Sequence, residues 1–70
     1  MNRSEIGAEL RKYRISSCYT QQALGEALGY ARPSAALLIR KMELGIIPVP
    51  LKHIRKLHDL TGIPYEKLIP

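Results

Sequence analysis

Residue types able to do chemistry are few in this chain and stand far apart. Cys18 is its only cysteine, and His53 and His58 are its only histidines. A lone thiol makes no internal disulfide. Five residues apart on a helix, the two histidines lie about 140° apart around the axis, so they do not share a metal ion without outside ligands. They read as surface histidines, and Cys18 as a small half-buried residue. No glycine-rich phosphate loop is present, and no acid pair stands out from the helix-surface charges. An enzyme, a metal centre, a cofactor and a small-molecule substrate therefore have no residues to carry them. What the chain does carry is positive charge. Eleven Lys and Arg against six Asp and Glu leave +5 at neutral pH, a field that favours polyanionic partners.

Those cations must be held by a small body. Seventy residues allow one domain, residues 1–70, able to bury about 60% of its unfolded surface around a thin core. No apolar run approaches the ~20 residues that span a bilayer, and the start leads into no signal-type stretch. The expectation is a cytoplasmic protein with no membrane partner. Glycine and proline cut the chain into short pieces whose apolar residues recur at helical spacing, and no alternating strand pattern with a hairpin turn is present.

Five short helices follow from this spacing, so the expected fold is all-α, a compact five-helix bundle. The first opens at Ser4 as N-cap, buries Ile6, Leu10 and Tyr13, and breaks down from Ile15 onward. Thr20 caps the second, which runs to Leu28 and stops at Gly29. Pro33 suits the first turn of the third, with Ala35, Leu38, Ile39 and Met42 inside and Gly45 as its stop. Pro50 starts the fourth, lined by Leu51, Ile54, Leu57 and Leu60, and Pro64 to Leu68 forms a last turn or two.

A short capped helix, a glycine turn and a second amphipathic helix over about residues 20–44 is a helix-turn-helix layout. Ile6-Gly7-Ala8-Glu9-Leu10-Arg11-Lys12-Tyr13-Arg14, Thr20-Gln21 with Leu24, Ile39-Arg40-Lys41-Met42-Glu43-Leu44-Gly45, Pro48, and the later Leu51, Ile54, Leu57, Leu60, Gly62-Ile63 and Leu68 together resemble the lambda-repressor-like (Cro-type) helix-turn-helix domains. The resemblance covers almost the whole chain. One departure stands out, because Gly29 to Glu43 is about four residues longer than the family pattern. The extra turn either extends the third helix at its N-terminus or enlarges the connection at Tyr30 to Arg32, and Ala35, at i−4 from Ile39, favours the helix.

This resemblance implies a double-stranded DNA-binding transcriptional regulator of repressor type, acting as a homodimer with its third helix in the major groove. Thr20, Gln21 and Gln22 match positions where the second helix meets a phosphate. The base-facing positions become Ala36, Leu37 and Lys41, joined by Arg32 and Ser34 if the longer N-terminus enters the groove, with Arg40 among the phosphate contacts. Arg14 and Glu43 match a partly buried ion pair tying the first helix to the end of the third. A second class of function remains open: a protein-interaction module or antitoxin-like partner on the same fold, for which Leu37, Leu44, Ile46 and Ile47 would face outward together.

Overall fold

A computed structural model describes all of residues 1–70. It is all-helical and without strands: α1 (Arg3–Ser16), α2 (Gln21–Ala27), α3 (Arg32–Glu43) and α4 (Ile54–Thr61), with single 3-10 turns at Leu51–His53 and Tyr65–Lys67. The expected fifth helix is thus one 3-10 turn. The molecule measures 29 × 22 × 20 Å, and Leu10, Leu24, Ile39, Met42, Leu57, Ile63 and Leu68 form the fully buried centre.

Capping chemistry sets where each helix begins. The N-cap of α1 is Asn2, two residues earlier than Ser4, because Asn2 and Glu5 form a reciprocal capping box: the Asn2 side chain accepts from the Glu5 backbone amide at 2.9 Å, and the Glu5 carboxylate accepts from the Asn2 backbone amide at 3.2 Å. That pattern, Asn followed three residues later by Glu, resembles the Ser/Thr-x-x-Glu signature with Asn in place of the hydroxyl residue. α1 also runs beyond Arg14 to Ser16, leaving Ile15 on the outside. Cys18 then takes a left-handed conformation (φ 63°) and is exposed rather than half-buried. Thr20 caps α2 as its sequence predicts, accepting from the Ala23 amide at 2.9 Å.

Two helix ends share one geometry. After α2, the Tyr30 amide donates to Gly25 O and the Gly29 amide to Glu26 O; after α3, the Ile46 amide donates to Lys41 O and the Gly45 amide to Met42 O. This is the Schellman closure, which places the residue after the C-cap at positive φ. Gly29 (φ +98°) and Gly45 (φ +74°) occupy those places. Only Leu28 to Ala31 separate α2 from α3, so most of the stretch from Gly29 to Glu43 is helix and the connection is short.

The register at α4 differs from the helical expectation. Leu51 is 81% exposed, whereas His53 is 8% exposed. Pro50 opens a 3-10 turn, whose three residues per turn rotate successive side chains further than an α-helix does, and this brings His53 inward in place of Leu51. The His53 ring meets Tyr30 edge-on at 5.0 Å, and its Nε2 has no hydrogen-bond partner. The other histidine stacks on Tyr65 and sets Nδ1 2.9 Å from Ile63 O. At the C-terminal turn Lys67 bridges to Glu9 of α1 at 2.7 Å, a contact that lowers the Glu9 carboxyl and raises the Lys67 ammonium from their ordinary values.

Burial, reinforced by Lys52 and Lys56, lowers the His53 imidazole from its ordinary value of 6.5. The unfolded chain then takes up a proton that the folded chain resists. Stability should therefore decline as pH falls below about 6.5, levelling off only below the folded-state pKa. His53→Phe removes both the titrating group and the unpartnered nitrogen, and urea titrations at pH 7 and pH 5 should show its pH dependence flattened. An unchanged slope in the variant would contradict this placement of His53.

Candidate nucleic-acid interface

α2 and α3 approach each other more closely than side chains permit. A Cβ built on Gly25 would stand 2.5 Å from the Ala35 carbonyl oxygen. Glycine at that position is what lets α2 lie directly on α3, and Leu24 fills the core beside it. A second close approach brings α1 onto the far end of α3, where a Cβ on Gly7 would come within 2.4 Å of the Met42 and Glu43 carbonyls. Two helical turns further along the same face of α1 stands Arg14.

Arg14 and Glu43 are 9% and 7% exposed and form a bidentate pair, Nε to Oε2 and Nη2 to Oε1, the latter at 3.2 Å. The remaining polarity of the pair is satisfied locally: Nη1 of Arg14 donates to Tyr19 O at 2.8 Å, and the Gln21 amide donates to Glu43 Oε1 at 3.1 Å. One carboxylate at the end of α3 thereby holds α1 and the first residue of α2, and the guanidinium it pairs with holds the loop before α2. Gln21 was expected at a phosphate; its amide is instead turned inward to this network. α2 has only seven residues, too short for its end to act as a strong phosphate site by itself. Gln22 is also engaged, with its amide donating to Glu26 at 2.8 Å and to Arg32 O at 3.0 Å.

With Ala35, Ile39, Met42 and Glu43 buried, the opposite side of α3 is fixed by the 3.6-residue period. Pro33, Leu37, Arg40 and Leu44 lie along its outer line and are exposed, while Ser34, Ala36 and Lys41 flank them half-buried. Arg40 and Lys41 have no carboxylate within ion-pair distance. Arg32 is exposed at the N-terminal end, where Glu26 approaches to 3.8 Å. The outer side of α3 therefore offers three cations, one hydroxyl and an apolar line, and its single carboxylate is withdrawn into the core pair.

Leu37, Leu44 and Ile46 are 49, 56 and 58% exposed. Ile47, the fourth member of the expected apolar group, packs partly against the core instead. The contacts that sequence reasoning missed are those made by backbone carbonyls and amide side chains, at Tyr19, Gln21 and Gln22. For Gly7 a signal did exist, because a glycine inside a helix otherwise composed of good helix formers marks a close approach.

No family model matches the chain, and neither the curated proteins nor the solved structures contain a match to it.

Cutting one partner of the buried pair leaves the other charge without compensation. Arg14→Met or Glu43→Leu should each cost roughly 3 to 5 kcal/mol of folding stability, whereas the double variant should recover much of the loss. Thermal unfolding by circular dichroism of the two single variants and the double variant measures this, and simple addition of the two losses would show that the pair is not coupled. Gly25→Ala tests the helix contact separately. It should cost about 1 to 3 kcal/mol or more through overpacking against Ala35.

Proposed function

We propose that this chain is a small transcriptional regulator of repressor type that binds double-stranded DNA, with α3 entering the major groove and α2 supporting it from behind, in the manner of a lambda-repressor-like helix-turn-helix domain. The observation that carries this reading is the outer side of α3. Arg40 is exposed and Lys41 half-buried there, neither with an ion-pair partner, while the one acidic residue of α3 is buried against Arg14. A helix about 10 to 12 Å across matches a groove about 12 Å wide, and a face on which Arg40 and Lys41 meet no carboxylate is attracted to phosphate.

Roles follow from chemistry. Lys41, on the flank of the outer face, suits guanine O6 and N7, and Ala36 and Leu37 suit thymine methyl groups. Arg32 and Ser34 join these base-facing residues if the N-terminal turn of α3 enters the groove, and Arg40 suits a phosphate oxygen, a contact that fixes register without reading sequence. Thr20 retains a hydroxyl proton for a phosphate after its oxygen has capped α2. A homodimer would present two copies of α3 to half-sites about 34 Å apart.

A second reading rests on Leu37, Leu44 and Ile46. Three large exposed apolar residues at and just beyond one helix face also suit a protein partner, in an interaction module or antitoxin-like role. Salt separates the two readings. DNA binding through about 6 to 10 phosphates per dimer should weaken roughly 10³- to 10⁵-fold between about 50 and 200 mM salt, while an apolar protein contact should change little. Fluorescence anisotropy with a labelled duplex of mixed sequence measures this, and no binding at low salt would defeat the DNA reading. Lys41→Ala should weaken a selected duplex by roughly 1 to 3 kcal/mol. Lys67→Ala, which removes a side chain already bound to Glu9, should weaken it less, and equal losses would remove α3 from the role of reader.

A further inference from the structure

His53 lies at the joint between the start of α4 and the connection that leads into α3. Its buried ring stands edge-on to Tyr30, with the two centroids 5.0 Å apart and the planes at 76°. Tyr30 is two residues before Arg32, the first residue of α3, and its own amide closes α2 on Gly25 O. The Nε2 atom of His53 is buried without a hydrogen-bond partner. Two charges bear on the ring, Lys52 in its own turn and Lys56 of α4, both exposed. From the α2–α3 connection it is faced by the Tyr30 phenol, which burial raises above its ordinary value of 10.0 and so keeps uncharged. No carboxylate is among these groups. A proton added to the ring would therefore meet two like charges and no acceptor.

We propose that His53 is an acid-operated latch: its neutral ring holds the start of α4 against Tyr30, and the protonated ring leaves that seat and releases the α2–α3 connection with the first turn of α3. The segment that carries the ring is able to move by itself. Pro48 and Pro50 have no amide proton, the Val49 amide donates to no backbone carbonyl, and the neighbouring Leu51 and Lys52 side chains already face solvent. Swinging an imidazolium out to water thus breaks few backbone bonds, and the core around Leu10 and Leu24 stays closed. Because the seat favours the neutral ring, the open form gains population as pH falls below 6.5 and gains none above it. The turn it frees is the one that carries Arg32 and Ser34. The latch itself is independent of any ligand, whereas its consequence for DNA binding rests on the function proposed above.

NMR of the full chain without DNA, from pH 8 to pH 4, reads the His53 ring and the backbone amides together. The ring should titrate with a midpoint below 6.5, and the Tyr30, Ala31, Arg32 and Ser34 amides should shift at that same midpoint while those of Leu10 and Lys12 hold still. His53→Phe and His53→Gln, which fill the seat without a titrating group, should abolish the amide step. A contribution from the Glu26 carboxylate, 3.8 Å from Arg32, would survive both substitutions. Should neither variant fold, Lys56→Gln takes their place: loss of a flanking cation should raise the midpoint of ring and amides alike. A midpoint above 6.5, which would mean that Tyr30 holds the cation, overturns the proposal. So does a ring that titrates with no step from Tyr30 to Ser34, a ring that does not titrate, or a step shared by Leu10, which would report unfolding of the whole domain. Fluorescence anisotropy with a duplex at pH 7 and pH 5 reads the consequence, and the wild-type chain should lose more affinity than His53→Phe; equal losses would overturn the reach of the latch to α3. An amide step without duplex binding at either pH defeats the DNA reading and leaves the latch standing, and duplex binding without the step defeats the latch alone.

Discussion

The bidentate pair of Arg14 and Glu43 is the constraint on which the arrangement of the other parts depends. A charge removed from water is tolerated only when its hydrogen-bonding capacity is met nearby. Here the guanidinium is shared between Glu43 and the Tyr19 carbonyl, and the carboxylate between Arg14 and Gln21. The directions of these bonds leave one geometry in which α1, the loop at Tyr19, the first turn of α2 and the last turn of α3 all meet. An apolar contact at the same place would tolerate sliding. In a domain of this size, whose net stability is a small remainder of large opposing terms, such specificity matters more than the strength of the pair itself.

From that junction the orientation of α3 follows. Gly7 lets α1 press against the Met42 and Glu43 carbonyls, and Gly25 lets α2 press against Ala35. The helix is held at both ends by backbone-close contacts on one side, so its other side cannot rotate inward. Withdrawal of Glu43 has an electrostatic consequence as well: the one carboxylate of α3 is neutralised in the interior, and Arg40 and Lys41 face solvent without an opposing charge. The same event that organises the core therefore leaves the C-terminal half of the outward face without a carboxylate, while Glu26 stands near Arg32 at its other end.

Much of this was legible in the residues. Thr20 as a cap, Gly29 and Gly45 as stops, and the buried stripe Ala35, Ile39 and Met42 each follow from local chemistry that tertiary packing does not oppose. Arg14 and Glu43 were recognisable as partners only through a family resemblance, since nothing in spacing alone joins residues 29 apart. Other features were hidden for physical reasons. The burial of His53 depends on one turn being 3-10 and not α, a difference of about 20° per residue that the apolar pattern does not encode. The inward turn of Gln21 depends on where Glu43 arrives, which only the assembled helices determine.

Chemical-shift mapping of uniformly ¹⁵N-labelled protein with an unlabelled mixed-sequence duplex at low salt bears most directly on the central claim, that the outer side of α3 is the surface presented to a nucleic acid. Amide shifts should concentrate on Leu37, Arg40, Lys41 and Leu44, with weaker changes at Thr20 and Gln22 and none around Lys67. Shifts centred instead on Lys52, Arg55 and Lys56, which are exposed at and just before α4, or an unperturbed spectrum, would contradict it.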